Sequence, residues 1–155
     1  LIYIGIDPGV KTGIGYINGE NKFAKTMAIH NAINFIVGLS NKDIEAHIRV
    51  EDARKRKWFG QRAQEKQQGA GSIKRDCKIW EDFLTQINKN SENKITFEML
   101  HPIKGGTKIE EKMFQKITGI ASSTSEHARD AFMLIHNFKK KQSKQDLKSE
   151  KLRQD

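Results

Sequence analysis

The chain has 155 residues, with 28 lysines and arginines against 19 acids, a formal net charge of +9. That length suits one domain with a real core, and the basic excess points to a polyanionic partner, of which nucleic acid is the commonest. The single cysteine, Cys77, excludes an internal disulfide and a cysteine-rich zinc site and suits a reducing compartment; no run nears the roughly 18 apolar residues of a membrane span.

The opening residues form an apolar run without the basic flank or cleavage site of a signal peptide, so none is expected there. Ile2, Ile4 and Ile6 alternate with Tyr3, Gly5 and Asp7, the period of a strand, and Pro8-Gly9 ends it. Thr12 to Ile17 reads as a second strand, Asn18-Gly19 as a hairpin turn and Phe23 to Ile29 as a third strand, an antiparallel meander. A helix is expected over His30 to Ser40. The strand Ala46 to Glu51 follows it, and a strand reached through a helix pairs parallel to its neighbour. Residues 53–69 carry Arg54, Lys55, Arg56, Lys57, Arg62 and Lys66 and read as a mobile basic loop. The helix expected over Ser72 to Lys89 has Ile73, Cys77, Trp80, Leu84 and Ile87 on one stripe. Ile95 to Leu100 is a fifth strand. Thr107 and Glu110 have the spacing of a capping box for the next helix. The last helix, expected from about Ser122 to Lys139, is capped by Ser125 or an earlier hydroxyl and buries Ala128, Ala131, Phe132, Ile135 and Phe138. The whole predicts an α/β domain over 1–138, with a five-stranded mixed sheet flanked by helices. Residues 139–155, with seven basic and three acidic side chains, are expected to be an exposed basic tail, a frayed helix or disordered.

Certain acids occupy unusual places in this order. Strand parity sets Asp7 on the face opposite Ile2, Ile4 and Ile6, where a charge is costly unless it is paired or bound to a cation. On the fourth strand Ala46, Ile48 and Val50 share one face and His47, Arg49 and Glu51 the other. Glu51 is therefore preferred to Asp52 as the functional acid. His127 and Asp130, three apart, lie on one flank of the last helix's buried stripe. Taken singly, each has an ordinary explanation as a turn cap or a surface ion pair. Together, carboxylates at the ends of adjacent strands with His and Asp on a packed helix make an oxygen-rich site suited to Mg²⁺ or Mn²⁺. Two such ions, about 3.5–4 Å apart, hydrolyse phosphodiesters by activating water and stabilising the leaving oxygen.

The stretch Ile4-Gly5-Ile6-Asp7-Pro8-Gly9-Val10-Lys11-Thr12-Gly13-Ile14-Gly15-Tyr16, the Val50-Glu51 strand end and Ser125-Glu126-His127-Ala128-Arg129-Asp130-Ala131 occur in this order. As an ordered set they closely resemble the RuvC family of Holliday junction resolvases, of the ribonuclease H-like superfamily, over about residues 1–138. The resemblance is to a compact phage-type member. It implies a ribonuclease H-like fold and a homodimeric, Mg²⁺-dependent endonuclease that nicks opposed strands of a four-way DNA junction. The setting it implies is the cytoplasm of a bacterial or phage-infected cell. The family's acids map to Asp7, Glu51 and Asp130. His127 takes the place of an acid that is often Asp, which bears on Mn²⁺ use and on the pH profile.

The resemblance also assigns the periphery. Arg54 stands where many bacterial members carry a Phe that unstacks junction bases, and Trp58 or Phe59 is the candidate replacement. This departure points to relaxed sequence preference and to action on forks and flaps as well. Arg54, Lys55, Arg56 and Lys57 are candidate DNA contacts. So are Lys104, Lys108 and Lys112, around a Gly-Gly loop and a helix start. Ile73, Cys77, Trp80 and Leu84 are the expected dimer interface, against the ordinary alternative of packing within one chain. Two other functions remain open on the same residues: a related nuclease acting on RNA, and a binder of branched DNA without catalysis.

Overall fold

A computed structural model describes residues 1–42, 44–55, 63–92, 94–102, 108–136 and 138, with backbone alone for 63–70. The strands are β1 (Ile2–Asp7), β2 (Lys11–Asn18), β3 (Asn21–Ala28), β4 (Ala46–Glu51) and β5 (Ile95–Leu100). They form one mixed sheet in the order β3-β2-β1-β4-β5. β1, β2 and β3 are antiparallel, whereas β4 pairs parallel to β1 and β5 parallel to β4. Asn18 pairs with Asn21, so the hairpin turn is Gly19-Glu20, and Gly19 takes the φ of +60° that so tight a turn demands.

Helices cover both faces of the sheet. Ile2, Ile4, Ile6, Ala46, Ile48 and Val50 meet α1 (Ile29–Ser40) and α2 (Ala63–Asn90), through Ala32, Ile36, Trp80 and Leu84. On the other face Ile17 and Ala24 meet α3 (Glu111–Thr118) and α4 (126–136), through Phe114, Ala128, Phe132 and Ile135. The alternation along β1, β2 and β3 is what lets these strands serve both cores. Among the described residues no helix is long and apolar enough to cross a membrane.

Three expectations need correction. The helix expected from Ser72 begins at Ala63, inside the stretch read as a basic loop. Ala63-Gln64-Glu65-Lys66-Gln67-Gln68 are all good helix formers, and one long helix absorbs Gly69 and Gly71 at about 1 kcal/mol each relative to Ala. The capping box is not used, because α3 starts at Glu111 and its N-cap, Glu110, makes no side-chain cap bond. Thr107 lies outside the described residues. Glu111 instead accepts a hydrogen bond from the Thr124 amide at 2.8 Å, tying α3 to the start of α4.

The third correction concerns the expected dimer interface. Cys77, Trp80 and Leu84 are fully buried within one chain, against the sheet and the turn after β4, so they have no surface to offer a partner. Ile73 alone of the four is outward, at 42% exposure, with Ile79 at 40%. Leu84→Ala is accordingly expected to lower the unfolding free energy by about 2–5 kcal/mol, equally in dilute and concentrated protein. Denaturant titrations showing the loss only as a dissociation effect would return Leu84 to a subunit contact.

Candidate active site

The site is built where α4 touches the sheet. Gly5, Gly13 and Gly15 lie on the α4 face of β1 and β2, with Gly5 opposite Gly15 and Gly13 opposite Asp7. A Cβ on Gly5 would stand 1.8 Å from the Ala131 carbonyl oxygen, one on Gly13 2.0 Å from that of His127, and one on Gly15 2.4 Å from the Phe132 Cα. No side chain fits those positions. The helix backbone therefore rests directly on the strands, with Ala128 and Ala131 fully buried beneath it.

That contact brings His127 to Asp7. Nδ1 of His127 is 2.7 Å from Oδ2 of Asp7, with the His side chain 57% exposed and that of Asp7 17% exposed. Ile6 pairs with Val50, so Asp7 and Glu51 end adjacent parallel strands on one face. Burial lifts the Asp7 carboxyl; the His127 hydrogen bond draws it down, and the charges of Glu51 and Asp130 add to the rise, leaving it at about 6 against 3.8 for an ordinary aspartate. Glu51, His127 and Asp130 are thus all close enough to act electrostatically on Asp7, as their placement in the sequence predicts. Asp130 lies on α4 three residues beyond His127.

At the end of β4 the preference for Glu51 over Asp52 follows from where Asp52 goes. Asp52 is 2% exposed and turns to the α2 side. There Arg54 Nε and NH2 donate to its two oxygens at 2.7 Å each, while Arg54 NH1 donates to Glu81 of α2, also at 2.7 Å. Burial opposes ionisation of Asp52, but the Arg54 hydrogen bonds outweigh it and hold the carboxyl below the usual range. Arg54, expected as a DNA contact, is committed to this bridge instead, because its fork matches two carboxylates at once.

The other predicted contacts are dispersed. Lys55 is exposed, and its Nζ donates to the Met99 carbonyl at 2.6 Å. Lys108 pairs with Glu126, next to His127, which places it on the rim of the site. Lys112 is exposed on α3. Arg56, Lys57, Trp58, Phe59 and Lys104 lie outside the described residues. Sequence reasoning missed the glycine contact and two arginines that hold α4, Arg49 and Arg129. The glycines had a visible signal, since Gly13 and Gly15 share one face by parity; the arginines reach α4 and the segments beside it through main-chain carbonyls, which carry no sequence signal.

The donor set suits a hard divalent cation: carboxylate oxygens and an imidazole, with the charges of Glu51 and Asp130 disfavouring that of Asp7 until a cation offsets them. Asp7, raised to about 6, registers that strain. Among the described residues no three such side chains already stand as a ligand cluster. The fit therefore lies in donor type and convergence on Asp7 rather than in a finished cage. Comparison with models of known protein families and with curated proteins finds no match.

Two predictions follow from this geometry. Gly13→Ala forces its Cβ into the His127 carbonyl and costs about 1–3 kcal/mol or more, whereas Gly38→Ala in α1, with nothing within 4 Å, is neutral or slightly stabilising; denaturation curves separate the two. Because Asp7 holds its proton more tightly in the folded chain than in the unfolded one, stability falls as pH rises from about 3.8 to about 6. Asp7→Asn keeps an oxygen acceptor for His127 and removes that loss. In chelator it should be more stable than wild type at about pH 8, by on the order of 1–3 kcal/mol. A less stable Asp7→Asn protein would contradict the assignment.

Proposed function

We propose that the chain is a divalent-metal-dependent endonuclease of the ribonuclease H-like kind that cuts branched DNA, four-way junctions above all, and that it works as a homodimer. The observation that carries this reading is the meeting of Asp7 and His127 at 2.7 Å, with Glu51 and Asp130 close enough to raise the Asp7 carboxyl. A structural acid is usually satisfied by a guanidinium or by backbone amides, as Asp52 is by Arg54. Asp7 instead lies among other acids at the ends of parallel strands, an arrangement that is costly unless a cation belongs there. The net charge of +9 supports a nucleic-acid substrate, and the ordered resemblance to RuvC resolvases supports a DNA junction.

Asp7, Glu51 and Asp130 would hold Mg²⁺ or Mn²⁺, with His127 as a nitrogen donor beside them. The bound ions supply charge stabilisation at the phosphodiester and a nucleophilic water at neutral pH. The residues do the rest. With Asp7 ionised, as it is above about pH 6, His127 donates to it from Nδ1, and in the neutral imidazole Nε2 is then an acceptor. That nitrogen can take a proton from an attacking water or join the ligands. Lys108, beside the site through Glu126, and the exposed Lys55 and Lys112 would meet phosphates. A two-fold dimer would set two such sites on a two-fold junction; with Cys77, Trp80 and Leu84 committed to the core, α2 retains Ile73 and Ile79 as outward apolar groups for the contact.

Labelled four-way junction, replication fork, linear duplex and structured RNA, each with Mg²⁺ or Mn²⁺, test the reading. Paired nicks in opposed junction strands are expected, and Asp7→Asn, Glu51→Gln and Asp130→Asn should each lower the rate by a factor on the order of 100 or more with junction binding nearly intact. Cleavage confined to RNA would move the substrate. Salt-sensitive junction binding without nicking by wild type would replace the nuclease with a structural binder.

A further inference from the structure

Arg49 joins three elements on the α4 face of the sheet. It lies on β4 two residues before Glu51 and on the same side. Its Nε donates to Glu98 Oε1 of β5 at 2.6 Å, its NH1 donates to the Leu134 carbonyl of α4 at 2.8 Å, and its guanidinium lies 4.2 Å from the centre of the Phe138 ring. His47 extends the cluster. It stacks on Phe138 at 5.3 Å and reaches Glu98 Oε1 with Nε2 at 3.2 Å and Thr96 Oγ1 with Nδ1 at 2.9 Å.

The glycine contact explains why such a brace is needed. Glycines beneath alanines allow close approach, but they offer few ridges and grooves to resist sliding along the helix axis. A slide of one residue, about 1.5 Å, is enough to break the 2.7 Å bond from His127 to Asp7. At its N-terminal end α4 is capped by the Ser125 hydroxyl, which accepts from the Ala128 amide at 3.2 Å and also bonds the Thr26 hydroxyl of β3, and it is held by Arg129, which donates to the carbonyls of Ile109 and Thr124. Toward its other end Arg49 grips Leu134, two turns beyond His127, from the strand that also carries Glu51. The same side chain therefore references α4 to β4 and β5 together.

We propose that Arg49, braced by Glu98, is a positioning residue that fixes α4 along its axis and so keeps His127 and Asp130 in register with Asp7 and Glu51. The positioning stands on the geometry alone; its consequence for cleavage rests on the nuclease reading above. The pair acts at a distance, since neither Arg49 nor Glu98 touches Asp7 or His127 in the hydrogen bonds described.

The test combines two measurements on full-length Arg49→Met, Arg49→Lys and Glu98→Gln proteins. Nitrogen NMR of the His127 ring at about pH 8 reports which nitrogen carries the proton, and single-turnover nicking of a four-way junction is measured beside junction affinity. Wild type should show the proton on Nδ1, and Arg49→Met should return the ring toward the solvent mixture of tautomers. Nicking in that variant should fall by up to about 100-fold with affinity unchanged. Arg49→Lys keeps the charge but cannot span Glu98 and Leu134 together, and it should behave like Arg49→Met. Glu98→Gln keeps an oxygen acceptor but takes the charge out of the brace, should fold where Arg49→Met does not, and should shift the tautomer in the same direction by a smaller amount. An unaltered His127 signal in Glu98→Gln and in every Arg49 variant that folds overturns the inference, as does a wild-type ring without the Nδ1 proton. Wild type that nicks no branched DNA, with the tautomer still responding to Arg49, sinks the nuclease reading and leaves the positioning role standing.

Discussion

The site depends on one contact, the backbone of α4 laid on the glycines of β1 and β2. A side chain at Gly5, Gly13 or Gly15 would overlap a main-chain atom of the helix, at 1.8, 2.0 and 2.4 Å respectively. A helix on a sheet of ordinary side chains stands about 10 Å away, too far for His127 to reach a short aspartate at a strand end. The absence of three side chains thus sets the reach of a fourth. The same closeness removes water from around Asp7, and burial is the largest influence on its carboxyl. Geometry and acidity therefore have one origin.

Two separate electrostatic environments flank the end of β4, one residue apart. Glu51 faces α4 and contributes to the cluster around Asp7. Asp52 faces α2 and is neutralised by Arg54, which is shared with Glu81. The period of two along a strand is what sends adjacent acids to opposite fates. Removing Arg54 would strand a buried charge, so its role is to hold the chain just past Glu51 against α2. The other face is organised by main-chain acceptors: Arg129 donates to the Thr124 carbonyl just before α4 and Arg49 to the Leu134 carbonyl near its other end. In a chain with a net charge of +9, these three arginines are internal fasteners, and the surface charge that would meet a polyanion is carried by lysines such as Lys55, Lys108 and Lys112.

Much of this was legible in the sequence because it follows from parity and period. The alternation of Ile2, Ile4 and Ile6 fixes the face on which Asp7 must lie, and the same rule separates Glu51 from Asp52. All five strands and the meander-then-parallel order were readable on these terms. What was not legible has physical reasons. The segment 63–71 looks like a loop by charge and glycine content, yet its residues other than Gly69 and Gly71 are good helix formers, and it extends α2 by nine positions before Ser72. Thr107 and Glu110 have the spacing of a capping box, but α3 begins after both, and Glu111 is drawn to Thr124 instead. The stripe through Cys77, Trp80 and Leu84 is a true apolar face, and periodicity alone does not distinguish a face turned to its own sheet from one turned to a second chain. Arg49 was invisible because its partner on α4 is a carbonyl 85 residues away in the chain.

The central claim is that Asp7, Glu51, His127 and Asp130 act as one cation-binding centre, assembled by the close approach of α4. Mn²⁺ binding by calorimetry tests it most directly, on wild type and on Asp7→Asn, Glu51→Gln, His127→Ala and Asp130→Asn, without reference to any substrate. The account predicts that wild type binds the ion, that each carboxylate substitution weakens binding by at least about tenfold, or about 1.4 kcal/mol, and that the His127 substitution weakens it less. Binding that is absent from wild type, or that is the same in all five proteins, would contradict it.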